Sequence, residues 1–331
     1  MNYKSLLWTM LRVAIGATLI ILLLRRANVA ELTHTLSSSI WWVFIVSNAI
    51  ACARVIIIAY RLQIILRLQG VKLSVWRLMY LCLISGFFSL FLPTSAGGDL
   101  VRIYEIAKQS GRKADAAASV LLDRMIGMAA LGMICLVVLV PNVHAIVGPK
   151  VFTASLVASA VCLAMLGLVM HPGVNGLAIG ALSRLPQKSI TKKLQNGYES
   201  LATFSGHKQT IARALSISVM FHVIGIYCIY LIGLSLGLQT SLIYFLVFVP
   251  LIWLMTMLPL TICGIGVRES SFVLLFTSIG VAKTQALSLA FLAFGQVIIV
   301  GLVGGAAYLL HTLLQSSVKQ QSPCPIGGEK P

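Results

Sequence analysis

Six charged residues stand in or beside apolar runs: Asp99 with Arg102, Asp123 with Arg124, and Arg268 with Glu269. The chain has only eight acidic residues, so three in such positions call for a physical reason. A charge at mid-bilayer costs about 2.5–3.5 kcal/mol on insertion scales, and such groups are therefore functional or paired. Asp99 and Arg102 are three apart and can meet on one helix face. Adjacent residues on a helix point different ways, so Asp123-Arg124 and Arg268-Glu269 need partners on other elements. The expectation is one central cluster, three acids against three bases, in which arginine forks would hold a phosphate-bearing or zwitterionic group. A carboxylate there could also carry a coupling proton. The alternative is a structural salt-bridge network, with Asp99 an N-cap and Glu269 a first-turn acid balancing the helix dipole.

The stretches that carry these charges repeat. Leu92-Pro93-Thr94-Ser95-Ala96-Gly97-Gly98-Asp99 leads to Arg102, and Leu258-Pro259 leads through Gly264 and Gly266 to Arg268 and Glu269. In both, proline and arginine are nine positions apart, and the two prolines are 166 residues apart. Paired Pro/Gly-broken apolar segments in corresponding halves are the best sequence pointer to a transporter's binding site. Broken backbone survives at membrane depth only where protein or a wet cavity surrounds it. Gly97, Gly98, Gly264 and Gly266 permit such turns without a Cβ clash. The limbs that follow begin helices whose free N–H groups suit an anion.

Composition places these stretches in a membrane. The chain is 59% hydrophobic and 10% charged, with a mean hydropathy of +0.97, against roughly 25% charge in a soluble domain. The formal charge of +17 collects in loops between apolar spans, the pattern of cytoplasmic loops rather than of a nucleic-acid face. Seven cysteines form no C-x-x-C pair and six histidines no H-x-x-x-H, so neither a disulfide framework nor a metal site is legible, and no cofactor is expected.

Six full spans are expected, at about 5–24, 40–60, 117–140, 151–170, 211–237 and 285–311. Two re-entrant hairpins, 78–109 and 241–280, complete an all-α polytopic fold. Residues 61–77 and 172–210 carry basic residues among Leu and Ile and read as helices on the cytoplasmic surface. Arg54, six residues from the expected end of its span, reads as snorkelling to the interface. With the amino terminus inside and both hairpins re-entrant, 17 basic residues fall in the cytoplasm and 4 outside, in keeping with the positive-inside rule. The hairpins then enter from opposite sides, as an inverted repeat. The expected unit is one transmembrane domain, 1–318, with halves at about 1–140 and 151–311. Residues 319–331 would be a disordered cytoplasmic tail.

Three blocks in order, L-P-T-S-A-G-G-D-L-V-R-I-Y (92–104), A-A-S-V-L-L-D-R-M-I-G (117–127) and G-I-G-V-R-E-S-S-F (264–272), resemble the lysylphosphatidylglycerol synthase transmembrane-region family of flippase-like membrane proteins. The resemblance runs over roughly 5–311. It implies a stand-alone form without the soluble aminoacyl-transfer domain of bifunctional members, and it points to Pro93, Gly97, Gly98, Asp99, Arg102, Asp123, Arg124, Gly264, Gly266, Arg268 and Glu269. The function expected is translocation of an anionic lipid or lipid-linked saccharide in the inner membrane, by a transporter rather than an enzyme. The rivals are a transferase in glycolipid or aminoacyl-lipid synthesis, a subunit that organises an envelope glycosyltransferase, and an ion-coupled solute transporter.

Overall fold

The computed structural model describes residues 39–91, 97–140, 148–174, 189–257 and 264–320, with Thr35, Ser37 and Gly176. The expected first span, Pro93, Pro259 and residues 321–331 of the expected tail lie outside these residues. The helices run α1 (Trp41–Ala53), α2 (Val55–Leu68), α3 (Val75–Phe91), α4 (Gly97–Ser110), α5 (Lys113–Leu139), α6 (Pro149–Met170), α7 (Ser189–Ala202), α8 (Lys208–Ser235), α9 (Leu242–Met257), α10 (Val267–Thr277) and α11 (Lys283–Gln320). Among the described residues there is no strand. Five stretches are long and apolar enough to cross a bilayer: Trp41–Leu68, Lys113–Leu139, Val151–Met170, Lys208–Ser235 and Lys283–His311. Large apolar side chains such as Trp42, Val137, Leu274 and Leu309 stand exposed on the outside, a surface that belongs in lipid rather than water. The protein is an all-α polytopic membrane protein.

One expected element is corrected. Residues 61–77 form no surface helix: α2 carries the second span on to Leu68, and α3 begins at Val75. Leu62, Ile65 and Leu66 are fully buried, and so is Arg61 at 3% exposure. Arg54 is therefore not near the end of its span. It lies 13 residues after Trp41 and 14 before Leu68, about 20 Å from either end at 1.5 Å per residue. That is too far to snorkel.

Two pairs of short helices fold back on themselves. α3 and α4 have 17 and 14 residues, α9 and α10 have 16 and 11, all below the roughly 20 that a span needs. At the tip of the first pair, Gly98 packs on Ser85 and Ser89. At its foot, the Gln109 amide, turned so that its oxygen faces Arg77, accepts from Arg77 Nη2 and Nε at 3.2 and 3.3 Å. In the second pair, Phe276 near the end of α10 meets Phe245 and Phe248 near the start of α9, with ring centroids 5.0 and 5.4 Å apart. Each hairpin leaves at the end where it entered. Helix α11 shows that the two ends are opposite: Arg77 lies 3.3 Å from His311 near its C-terminal end, whereas α10 precedes its start at Lys283.

Helix α5 is the centre of the bundle, with 67% of its most apolar window buried against 22% for the peripheral α6. Close helix approach in a membrane needs small residues, and α11 supplies them where it crosses α3. A Cβ added at Gly304 would lie 2.1 Å from the Leu83 carbonyl oxygen, and one at Gly301 2.5 Å from Leu90 Cδ1. Because Leu83 presents backbone, the helices themselves must part. Gly304→Ala is expected to cost about 1–3 kcal/mol, read as an earlier thermal loss of monodisperse protein in detergent. Gly86→Ala, with nothing within 4 Å of its added Cβ, should leave that temperature unchanged.

Basic residues gather at the end where the first hairpin opens: Arg67, Lys72, Arg77, Lys108, Arg112, Lys113 and Lys208. Helix α7, within the expected 172–210 surface region, is tied there. Gln69 donates to the Ser200 carbonyl at 2.5 Å, Ser200 Oγ donates to Asp115 at 2.7 Å, and Arg112 donates to the Gln69 carbonyl at 2.9 Å.

Candidate functional site

The charged residues of α4 and α5 form one network, which a residue from α2 completes. Asp123 is buried to 2% exposure and spends both carboxylate oxygens on arginine. Oδ1 accepts from Arg61 Nε at 2.7 Å, and Oδ2 accepts from Arg102 Nη1 at 3.4 Å. Arg61 also donates to Ser218 Oγ on α8 at 2.6 Å, so a single carboxylate links α2, α4, α5 and α8. On the next position of α5, Arg124 donates to Asp99 Oδ2 at 2.5 Å. The local Asp99–Arg102 pair, three residues apart, is the longest in the network at 4.0 Å. Asp123 and Arg124 thus find partners on different elements, as adjacent helix residues must.

Among the described residues, the second hairpin contributes to none of these ion pairs. The Glu269 carboxylate accepts the N–H of Gly266 at 2.5 Å, closing the first turn of its own helix, and the residue is 1% exposed. This is the first-turn role that the sequence left as an alternative. Gly264 and Gly266 have φ of 70° and 86°, a left-handed backbone that only glycine takes without strain. Gly97 and Gly98 have no such φ. Gly98 is required by space, since its Cβ would lie 2.1 Å from Ser89 Oγ and 2.3 Å from the Ser85 carbonyl oxygen.

Above the network lies a cavity of about 400 Å³ between the two hairpins. Its walls include Ser89 and Leu90 near the tip of the first hairpin, Thr256 and Arg268 near the tip of the second, Arg124 of α5, Gln296 of α11, and Arg54. Three arginines from three parts of the chain therefore line one space, and none of the described lining residues carries a carboxylate. Aromatic rings hold two of them: Arg268 lies 4.6 Å from the Phe294 ring centroid, and Arg54 4.5 Å from that of Phe221. Such stacking suits the planar, weakly hydrated guanidinium. Arg54 also lies against bare backbone, since a Cβ at Gly225 would be 2.0 Å from its Nη1. Gln296 is fixed in the wall by donating to Ser47 at 2.8 Å, which in turn donates to the Cys228 carbonyl at 2.9 Å.

Five of the six expected charges are thus divided between the network and the cavity, and Arg124 belongs to both. Sequence reasoning missed Arg54 and Arg61, which it placed at the interface and on the surface. A usable signal existed for Arg54: taking the apolar pattern of 55–68 as one helix with 41–53 would have put it at mid-span. For Arg61 the cue was a buried acid without a base on its own helix face.

No match to the chain was found among curated proteins. The family described as the lysylphosphatidylglycerol synthase TM region matches residues 9–305, most of the 331. With its broken hairpins, central charges and apolar exterior, the chain belongs to the lysylphosphatidylglycerol synthase transmembrane-region family.

Proposed function

We propose that the protein translocates a lipid with an anionic headgroup, a phospholipid or a lipid-linked saccharide, between the leaflets of the inner membrane. The observation that carries this reading is the cavity where Arg54, Arg124 and Arg268 converge at mid-bundle, between hairpins that open on opposite ends. A charge at that depth is costly, so an arginine-lined space there is suited to a ligand that brings the opposite charge. Acyl chains remain in lipid while the headgroup crosses. The opposed hairpins act as alternating gates, in keeping with an inverted repeat within one domain, 1–318. The basic end faces the cytoplasm, with the amino terminus on that side. Asp99, Arg102 and Asp123 hold Arg124 and the first hairpin in place beneath the headgroup. Glu269 serves it by fixing the turn that presents Arg268. An envelope glycosyltransferase that makes or uses such a lipid is the partner this activity calls for.

The test is lipid movement in proteoliposomes, with headgroup-labelled anionic phospholipids and a polyprenyl-phosphate sugar. Wild type is expected to move at least one of them. Arg268→Ala should slow that movement about tenfold, the loss of one charge-assisted contact, and Asp99→Asn should slow it by removing the carboxylate that Arg124 bonds. Wild-type protein that moves nothing across the panel would set intrinsic translocation aside in favour of a partner-organising role.

A further inference from the structure

A second groove opens along the seam between α2 and α8, and it shares no lining residue with the cavity between the hairpins. Its volume is about 570 Å³, the size of a small-ligand site. The bond of Arg61 to Ser218 at 2.6 Å sets the register of the two helices, and Ile65 joins Ile211 and Ala214 in one buried cluster beside it. The groove uses the outward residues of each helix. Tyr60, Ile64 and Arg67 recur at i, i+4 and i+7 on α2, and Thr210, Arg213 and Ile217 at i, i+3 and i+7 on α8. Arg67 and Arg213 are exposed, and so is Tyr60.

The groove is graded with depth. Counted from the Arg61–Ser218 bond, Arg67 is six residues nearer the end of α2 and Arg213 five nearer the start of α8. At 1.5 Å per residue both stand about 8–9 Å toward the basic end, one beside the other. Ile64, Ile217 and the Tyr60 ring lie deeper, level with the bond or near it. Neither arginine makes an ion pair among the described residues, and none of the described lining residues carries a carboxylate.

We infer that this groove binds an anionic phospholipid of the leaflet at the basic end, held by its phosphodiester as a resident lipid. Arg67 and Arg213 grip the phosphate with charge-assisted bonds, Thr210 offers a hydroxyl, and one acyl chain follows Ile64, Ile217 and Tyr60. Basic pockets between membrane helices at such a level take anionic headgroups. A choline headgroup would bring its own cation against two guanidinium groups. The bound lipid clamps α2 to α8 on the outer side of the pair that Arg61 and Ser218 join within.

Photolabelling locates the lipid without reference to lipid movement, so this inference stands or falls apart from translocation. Full-length protein is placed in dioleoylphosphatidylcholine nanodiscs with a trace of phosphatidylglycerol carrying a diazirine on one acyl chain. Phosphatidylcholine with the same diazirine is the comparison. The phosphatidylglycerol label is expected to concentrate on 60–68 and 210–217, about tenfold over the peripheral α6, and the phosphatidylcholine label to spread evenly. A basic residue near an anionic headgroup is worth roughly fivefold, so Arg67→Gln with Arg213→Gln should remove that excess. Lys108→Gln, an exposed basic residue at the same end and outside the groove, should leave it intact. Size-exclusion elution confirms that the variants are folded. Even labelling of wild type by phosphatidylglycerol overturns the inference, and so does the same concentration from the phosphatidylcholine probe. An excess that survives the double substitution, or that Lys108→Gln removes equally, shows general attraction to a basic surface and overturns it too.

Discussion

Asp123→Ala should unfold the protein tens of degrees earlier than wild type, or prevent its recovery as a monodisperse species. The substitution leaves Arg61 and Arg102 buried, at side-chain exposures of 3% and 9%, without the carboxylate that both rely on. Removing one partner of a buried ion pair costs about 3–5 kcal/mol, because the remaining charge is stranded, and here two are stranded by one change. Asp99→Ala is the control. It also removes an arginine's partner, but Asp99 and Arg124 are about a quarter exposed, so that screening cuts the loss to about 1 kcal/mol. Asp123→Asn should fall between the two, since its amide oxygen still accepts one hydrogen bond. The measurement is the temperature at which each purified variant loses its size-exclusion peak. An Asp99→Ala variant less stable than Asp123→Ala would mean that burial does not set the strength of this network.

The expected architecture and the observed one agree wherever the information is local. Apolar runs bounded by proline, glycine and charge gave spans close to α5, α6 and α8 and the apolar part of α11, because a helix that must fill a bilayer cannot hide its composition. The two hairpins were legible for the same reason, as apolar stretches cut short. Glu269 and Gly266 are three residues apart, and a first-turn role for Glu269 was already among the readings. Long-range pairing was not legible. Arg61 reaches Asp123 across 62 residues and Ser218 across 157, and nothing in its neighbourhood distinguishes it from the exposed Arg67 one and a half turns later. Basic residues at helical spacing read as a wetted face, and the partner that buries one of them lies on another helix. Arg54 failed for a related reason: the misplaced end of α2 shifted it from mid-span to the interface. Correcting that boundary brings Arg54 to mid-span and Arg61 into the buried network.

Gly98→Val is the substitution expected to abolish lipid movement most completely while leaving the rest of the bundle intact. Sequence alone assigns Gly98 to a tight turn, but in the structure it lies in the first turn of α4 and meets α3 face to face. Its Cβ would overlap the Ser89 hydroxyl, which can rotate away, and the Ser85 carbonyl oxygen, which cannot. The first turn of α4 must therefore lift from α3. Asp99 is the next residue, so the lift draws its carboxylate off Arg124 and leaves that guanidinium to swing into the cavity. On the proposed function, gate and headgroup site are disturbed by one isopropyl group, and misplacements of about 1 Å commonly cost on the order of a hundredfold in rate. The expected result is movement reduced about a hundredfold, with an unfolding temperature less affected than in Asp123→Ala, because the Asp123 network remains buried. Ser89→Gly added to Gly98→Val should restore little, since the carbonyl contact persists. Full recovery in that double variant would show that the hydroxyl alone was the obstacle and that α4 does not rest on the α3 backbone.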